Sequence, residues 1–191
     1  MNFNLGALKA TLAETPPQRL AGAIVNEPFN FQLDMVAMGI GIMVFLVADP
    51  KTEVIYRVAL SRTHLAEGTL RMSDKKFEDI DIPLGHKQNI IARAIAEQKP
   101  QMTEDWKYLF IPALTPEQAR MNQGGGGIAC SFVYPVHFAD GDAALIFSYY
   151  KFLDKVGASE RQFMQSYSKL VGETLSKHAG VAAKLLPPRA K

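Results

Sequence analysis

Apolar residues crowd two neighbouring runs in the second half of the chain, Ile128–Val136 and Ala143–Tyr150. Between them lies the turn cluster Ala139-Asp140-Gly141-Asp142. Two such runs around an Asp-Gly turn predict a β-hairpin. Neither run alternates cleanly between polar and apolar positions, so the sheet is expected to be covered on both faces. A second hairpin is predicted upstream. Gly39–Ala48 supplies its first strand, Asp49-Pro50-Lys51-Thr52 its turn and Glu53–Ser61 its second strand. Asp79–Leu84 alternates Asp and Ile in a short strand-like piece ending near Pro83.

Helical spacing governs much of the rest. Leu5, Leu8 and Leu12 share one face of a first helix, which breaks at Thr15-Pro16-Pro17. Pro17 suits the first turn of a second helix, with Leu20, Ala21, Ile24 and Val25 as its apolar positions. Asn30–Met38 reads as a short helix with Leu33, Val36 and Ala37 turned inward. Asn89–Glu97 is a further helix carrying Ile90, Ile91, Ala94 and Ile95 on one side. The longest is expected from Ser159 to about Leu186, where Phe163, Tyr167, Leu170, Val171, Leu175, His178, Ala182 and Leu185 recur at helical spacing. Arg62–Lys76 is polar and weakly patterned, and reads as a loop with room for a helical turn. Gln101–Gly127 is the least regular stretch; so long a connection is usually a functional loop or lid.

Composition narrows the class. A chain of 191 residues with 48% hydrophobic and 21% charged residues fits one globular domain with extensions. The net charge of +2 and the lack of a long basic run imply no nucleic-acid partner. A single cysteine, Cys130, rules out an internal disulfide. The apolar run Met35–Ala48 is shorter than the roughly 20 residues a membrane-spanning helix needs. The amino terminus carries no basic segment followed by an apolar one. These features lead us to expect a soluble, cytoplasmic protein with no membrane partner.

Candidate chemistry is sparse. Gly124–Gly127 lacks the Lys-Ser/Thr that a phosphate-binding P-loop needs, and reads as a flexible loop or lid hinge. Cys130 sits mid-strand among apolar residues and is expected to be buried and slow to react. The histidines His64, His86, His137 and His178 show no metal-ligand spacing, so no metal site is expected. Ser131 has no Gly-x-Ser-x-Gly frame, and no catalytic residue is assigned. What remains is a set of aromatic, Met and Cys residues in the irregular stretch and on the strands it would cover. Apolar walls of this kind suit a small-ligand pocket. Its expected lining is Tyr56, Trp106, Phe110, Met121, Cys130, Phe132, Tyr134 and Tyr149.

Several local patterns carry a family resemblance. They are Phe45-Leu46-Val47-Ala48-Asp49, Ile82-Pro83-Leu84-Gly85 before the helix at Asn89, Lys99-Pro100-Gln101-Met102-Thr103-Glu104-Asp105, and Ser131-Phe132-Val133-Tyr134-Pro135-Val136. With the order of elements, this resembles a GAF domain, the small-ligand-sensing module of signalling proteins, over about residues 30 to 178. Ala143-Ala144 stand where that family usually begins its last strand with glycine. The resemblance implies an α+β fold with a central antiparallel sheet of five to six strands. Terminal helices would cover one face, and a middle helix with the irregular lid the other. It further implies an N-terminal helical extension at residues 1–29, a GAF-like domain at 30–180 and a helix end and tail at 181–191. A GAF-type methionine sulfoxide reductase would need further cysteines, and a cyclic-nucleotide site a signature that Lys76-Phe77-Glu78-Asp79 does not complete. The expected function is a non-catalytic ligand-sensing module acting through a partner protein, its ligand and any cofactor unidentified. The alternatives are a structural or dimerisation module with a filled pocket, and a small enzyme. The apolar stripes of the first and last helices, lying beyond the expected core, predict a homodimer through those helices.

Overall fold

The computed structural model describes residues 4–186. Its centre is β1 (Ile40–Asp49), buried along its whole length. That burial follows from position. The strands β2 (Val54–Leu60), β3 (Ile82–Pro83), β4 (Gln101–Thr103), β5 (Cys130–Phe138) and β6 (Gly141–Tyr149) form one antiparallel sheet in the order β3-β2-β1-β6-β5-β4. A middle strand covered on both faces is apolar at nearly every position, as β1, β5 and β6 are apart from Ser131, Ser148 and the polar residues near their turns. The architecture is α+β, with the two-layer cover the sequence implied.

One face carries the terminal helices: α1 (Leu5–Glu14), α2 (Pro17–Asn26), α3 (Gln32–Met38), α8 (Ala158–Leu175) and α9 (Val181–Leu185). Phe45, Phe132, Phe147 and Tyr149 point into this layer, where Phe147 stands edge-on to Phe163 of α8 and Phe163 stacks on Tyr167. The Tyr167 hydroxyl donates to the Ile24 carbonyl at 2.7 Å, tying α8 to α2. The other face carries α4 (His64–Arg71), α5 (Ile90–Glu97), α6 (Lys107–Phe110) and α7 (Pro116–Gly125). Leu46, Val133 and Ile146 face this second layer.

Five local expectations are corrected. Arg62–Lys76 is not a loop throughout: Thr63 caps α4, its hydroxyl accepting from the Ala66 N–H at 3.2 Å. Polar exposure hid a helix that buries only small residues, Ala66, Gly68 and Thr69. The irregular stretch 101–127 contains β4, α6 and α7. The glycines close α7 and pack α7 against α4 instead of forming a loose hinge. A Cβ at Gly68 would stand 2.2 Å from the Gly125 carbonyl oxygen, and one at Gly126 2.3 Å from Thr69 Oγ1. In α3, Met35 and Met38 turn inward, whereas Leu33 is 87% and Val36 60% exposed.

The fifth correction concerns the long carboxy-terminal helix. It stops at Leu175, and Gly180 turns with φ of 68° before α9. Asp140 Oδ2 receives the Val181 N–H at 3.2 Å, which fastens α9 to the β5–β6 turn. Leu8, Leu12, Val181 and Leu185 are all buried within the one chain. The stripes that motivated a dimer through the terminal helices therefore find cover without a second copy. No helix among the described residues is long and apolar enough to cross a membrane.

Candidate functional site

The expected pocket residues divide between the two faces of the sheet. Cys130, Phe132 and Tyr134 alternate onto the terminal-helix face, as do Tyr149 and, by pairing with Val47, Tyr56. Trp106 and Phe110 lie on the α5–α7 face, and Met121 is exposed on α7. A cavity walled jointly by Phe132, Tyr134 and Trp106 does not form, because side chains two apart on a strand share a face. The residues of β5 that face Trp106 are Ser131 and Val133.

Trp106 fills the space where a ligand was expected. It is 3% exposed, stands edge-on to Phe110 with ring centroids 5.4 Å apart, and donates its Nε1–H to Ser131 Oγ at 2.8 Å. Ser131 and Ser148 share a further 2.8 Å hydrogen bond across the β5–β6 ladder. Gln123 of α7 accepts the Trp106 N–H at 3.0 Å and donates to the Glu104 and Ile128 carbonyls. Asn89, wholly buried, caps α5 through the Ile91 and Ala92 N–H groups. Its amide also donates to the Leu109 and Ile111 carbonyls at 2.8 and 2.7 Å, pinning the end of α6.

The open concavity on this side lies outside that packed layer. A groove of about 620 Å³ runs between α5, β4 and α6, with Ile90, Met102, Ile111 and Leu114 among its apolar walls. Lys87, Arg93 and Lys107 line it, with no carboxylate among the lining residues. Arg93 pairs with Glu97 at 3.4 Å and Lys107 with Asp105 at 3.5 Å, both at the surface, where such pairs are worth about 0–1 kcal/mol. Burial raises the Asp105 pKa, but the Lys107 N–H and the Arg120 guanidinium outweigh it and hold that carboxyl below its ordinary value. A second, larger hollow of about 740 Å³ opens between β5 and α8, and its lining includes lysines and Glu173. The α5–β4–α6 groove left no signal along the chain, because its walls come from separated segments.

Cys130 is buried against the Lys151 carbonyl, to which its Sγ donates at 3.5 Å. Burial pushes its thiol up to about 11, with Glu104 adding to the shift and Lys151 and Arg161 opposing it. At neutral pH nearly all of it is the unreactive thiol. Native protein is therefore expected to label with a thiol reagent only as fast as it opens, and urea should accelerate the reaction sharply. Stoichiometric labelling within seconds in buffer would contradict this placement. Among the described residues, no cluster of three or more His, Cys, Asp or Glu side chains could hold a metal ion.

No family model and no curated protein matches the sequence. Solved structures do match the fold. The GAF domain from an Acinetobacter phosphoenolpyruvate-protein phosphotransferase aligns over 96% of this chain and 99% of its own, with a TM-score of 0.60 and 9% identity. The GAF domain region of a Geobacter sulfurreducens membrane protein aligns over 91% and 96%, with a TM-score of 0.55 and 12% identity. Free methionine-R-sulfoxide reductase from Neisseria meningitidis, solved with its substrate, aligns over 91% and 87%, at 0.58 and 13%. The chain therefore has the fold of a GAF domain. That fold hosts both sensors and enzymes, so the shared architecture defines the scaffold and leaves the chemistry to the site.

Proposed function

We propose that this protein is a non-catalytic small-ligand-sensing module that binds its ligand in the groove between α5, β4 and α6 and acts through a partner protein. The observation that carries this reading is the groove itself. It has an apolar floor and cationic flanks, with a volume inside the range usual for small-molecule sites. Such a lining favours an organic anion with an apolar body. Its position on α6 would couple occupancy to Asn89 and Trp106, which hold that helix. The lone cysteine, buried and protonated, supports a binding role over thiol chemistry of the reductase type.

A second reading has its own support. Trp106 and Phe110 already fill the space beneath α6, as a structural or dimerisation module with a filled pocket requires. Native mass spectrometry of the purified chain and of a Lys87→Glu/Lys107→Glu variant separates the two. The sensor reading expects a small molecule retained by the wild type and lost from the variant, with Trp106 fluorescence changing on rebinding. A ligand-free wild type whose fluorescence ignores a broad metabolite screen, running as a dimer in light scattering, would favour the second.

A further inference from the structure

The hollow between β5 and α8 lies across the sheet from the α5–β4–α6 groove, on the side of the terminal helices. Its lining follows one side of α8 and its carboxy-terminal end, from Gln165 to Lys177. Three helical turns make it about 16 Å long, and its volume of about 740 Å³ then leaves a width of roughly 7 Å. It is a trough. An α-helix with its side chains is about 10–12 Å wide, too broad for it. A single extended chain fits, and five residues at about 3.3 Å each span its length.

The edge of the sheet forms one wall. Strand β4 is the last in the sheet and pairs with β5 only from Ser131 to Val133, so from Tyr134 onward the outer edge of β5 has no strand beside it. Addition of a seventh strand is nevertheless blocked. Pro135 has no N–H to offer, and a Cβ at Gly172 of α8 would stand 2.5 Å from the His137 carbonyl oxygen, so the helix backbone itself covers that acceptor. An occupant is therefore held mainly through its side chains.

The chemistry of the walls says which side chains. Tyr134, Pro135 and Val136 supply the apolar floor, and Lys9, Lys169 and Lys177 stand around it against one carboxylate, that of Glu173. His137 is already bonded to Asp142 at 2.9 Å. Of the hydroxyls in the lining, those of Tyr134 and Ser176 are hydrogen-bonded. Ser168 is 4% exposed, and its Oγ has no hydrogen-bond partner among the described residues. The floor thus keeps one polar group for a backbone laid along it. Three cations to one anion around an apolar floor complement an acidic chain with apolar residues between its charges.

We infer that this trough docks an extended acidic segment of a partner protein, its apolar side chains on Tyr134–Val136 and its carboxylates toward Lys9, Lys169 and Lys177. The inference rests on the proposed function only for the existence of a partner. Ligand capture by the other groove is read as retained mass and docking here as a local chemical shift, so either can fail alone.

The test is a titration of the full ¹⁵N-labelled chain with two blocked hexapeptides, one alternating glutamate with leucine and one alternating lysine with leucine, and with free glutamate. The acidic peptide should shift the Val136 and Gly172 amides saturably, and the other two should not. Lys169→Glu/Lys177→Glu, at exposed positions, should weaken that binding at least about tenfold. Lys51→Glu, exposed in the β1–β2 turn, controls for net charge and should leave it unchanged. No saturable shift with the acidic peptide would overturn the inference, as would an equal response to the basic one or to free glutamate. Unchanged affinity in the double variant would do the same. A dimer mass in light scattering, with these amides broadening as protein concentration rises and no response to peptide, would assign the trough to a second copy instead.

Discussion

Replacing Trp106 by alanine is expected to lower the unfolding free energy by about 3–5 kcal/mol, the usual range for deleting a buried aromatic side chain. The indole is closed in on every side, by Phe110 at its edge, Ser131 at its Nε1–H and the α6–α7 segment behind it. Truncation removes that packing and leaves a cavity that α6 can only partly fill. Trp106→Phe keeps most of the ring and loses the hydrogen bond, so a smaller loss of about 1–2 kcal/mol is expected. Ser131 retains its bond to Ser148 in that variant, which limits the damage. Urea unfolding of the three proteins measures the series. An alanine variant within a few tenths of the phenylalanine one would mean that the indole is not part of the packed layer.

The second large effect is at Asn89. Asn89→Ala should cost about 2–4 kcal/mol: about 1 for the lost helix cap and the rest for the orphaned carbonyls of Leu109 and Ile111. Asn89→Asp discriminates between the two contributions. Aspartate caps helices as well as asparagine does, so a residue acting only as a cap would tolerate the change. Here the amide also donates to two carbonyls, and a carboxylate would face them with repulsion. Asn89→Asp should therefore be at least as damaging as Asn89→Ala, with faster amide exchange from Leu109 to Leu114. Near-wild-type stability of the aspartate variant would show that the capping half alone matters.

Much of this architecture is legible in the chain. The tight turn after Phe138 fixes the β5–β6 register, and the two unbroken apolar runs require cover on both faces. Pro17 and Asn89 mark helix starts because their local geometry favours the first turn whatever the tertiary context. The expected pocket residues divide between two faces for an equally physical reason. When both faces of a strand are buried, composition no longer tells which residues look which way. Phe132 and Tyr134 were grouped with Trp106 although the strand period sends both to the terminal-helix face, across the sheet from Trp106. The better signal was Ser131, a small polar residue in an apolar run, positioned opposite Ser148 and awaiting a buried donor.

Helix α4 was missed because it hides its contact surface. Its buried residues are small, and what they permit is a backbone approach to α7 rather than the burial of large side chains. The four glycines invited the same mistake. Glycine in sequence signals freedom, but Gly125 and Gly126 are needed for closeness.

The sequence by itself determined the fold class, the central hairpins, the middle helix and the burial of Cys130. Each depends on local periodicity or on neighbours along the chain. Only the tertiary structure decided that the terminal apolar stripes are covered within one chain, since Gly180 folds α9 back onto a surface far away in sequence. Only it placed Lys87, Arg93 and Lys107 around one groove. Those arrangements join segments whose spacing carries no periodic signal, so they exist only once the sheet and its two helical layers have closed.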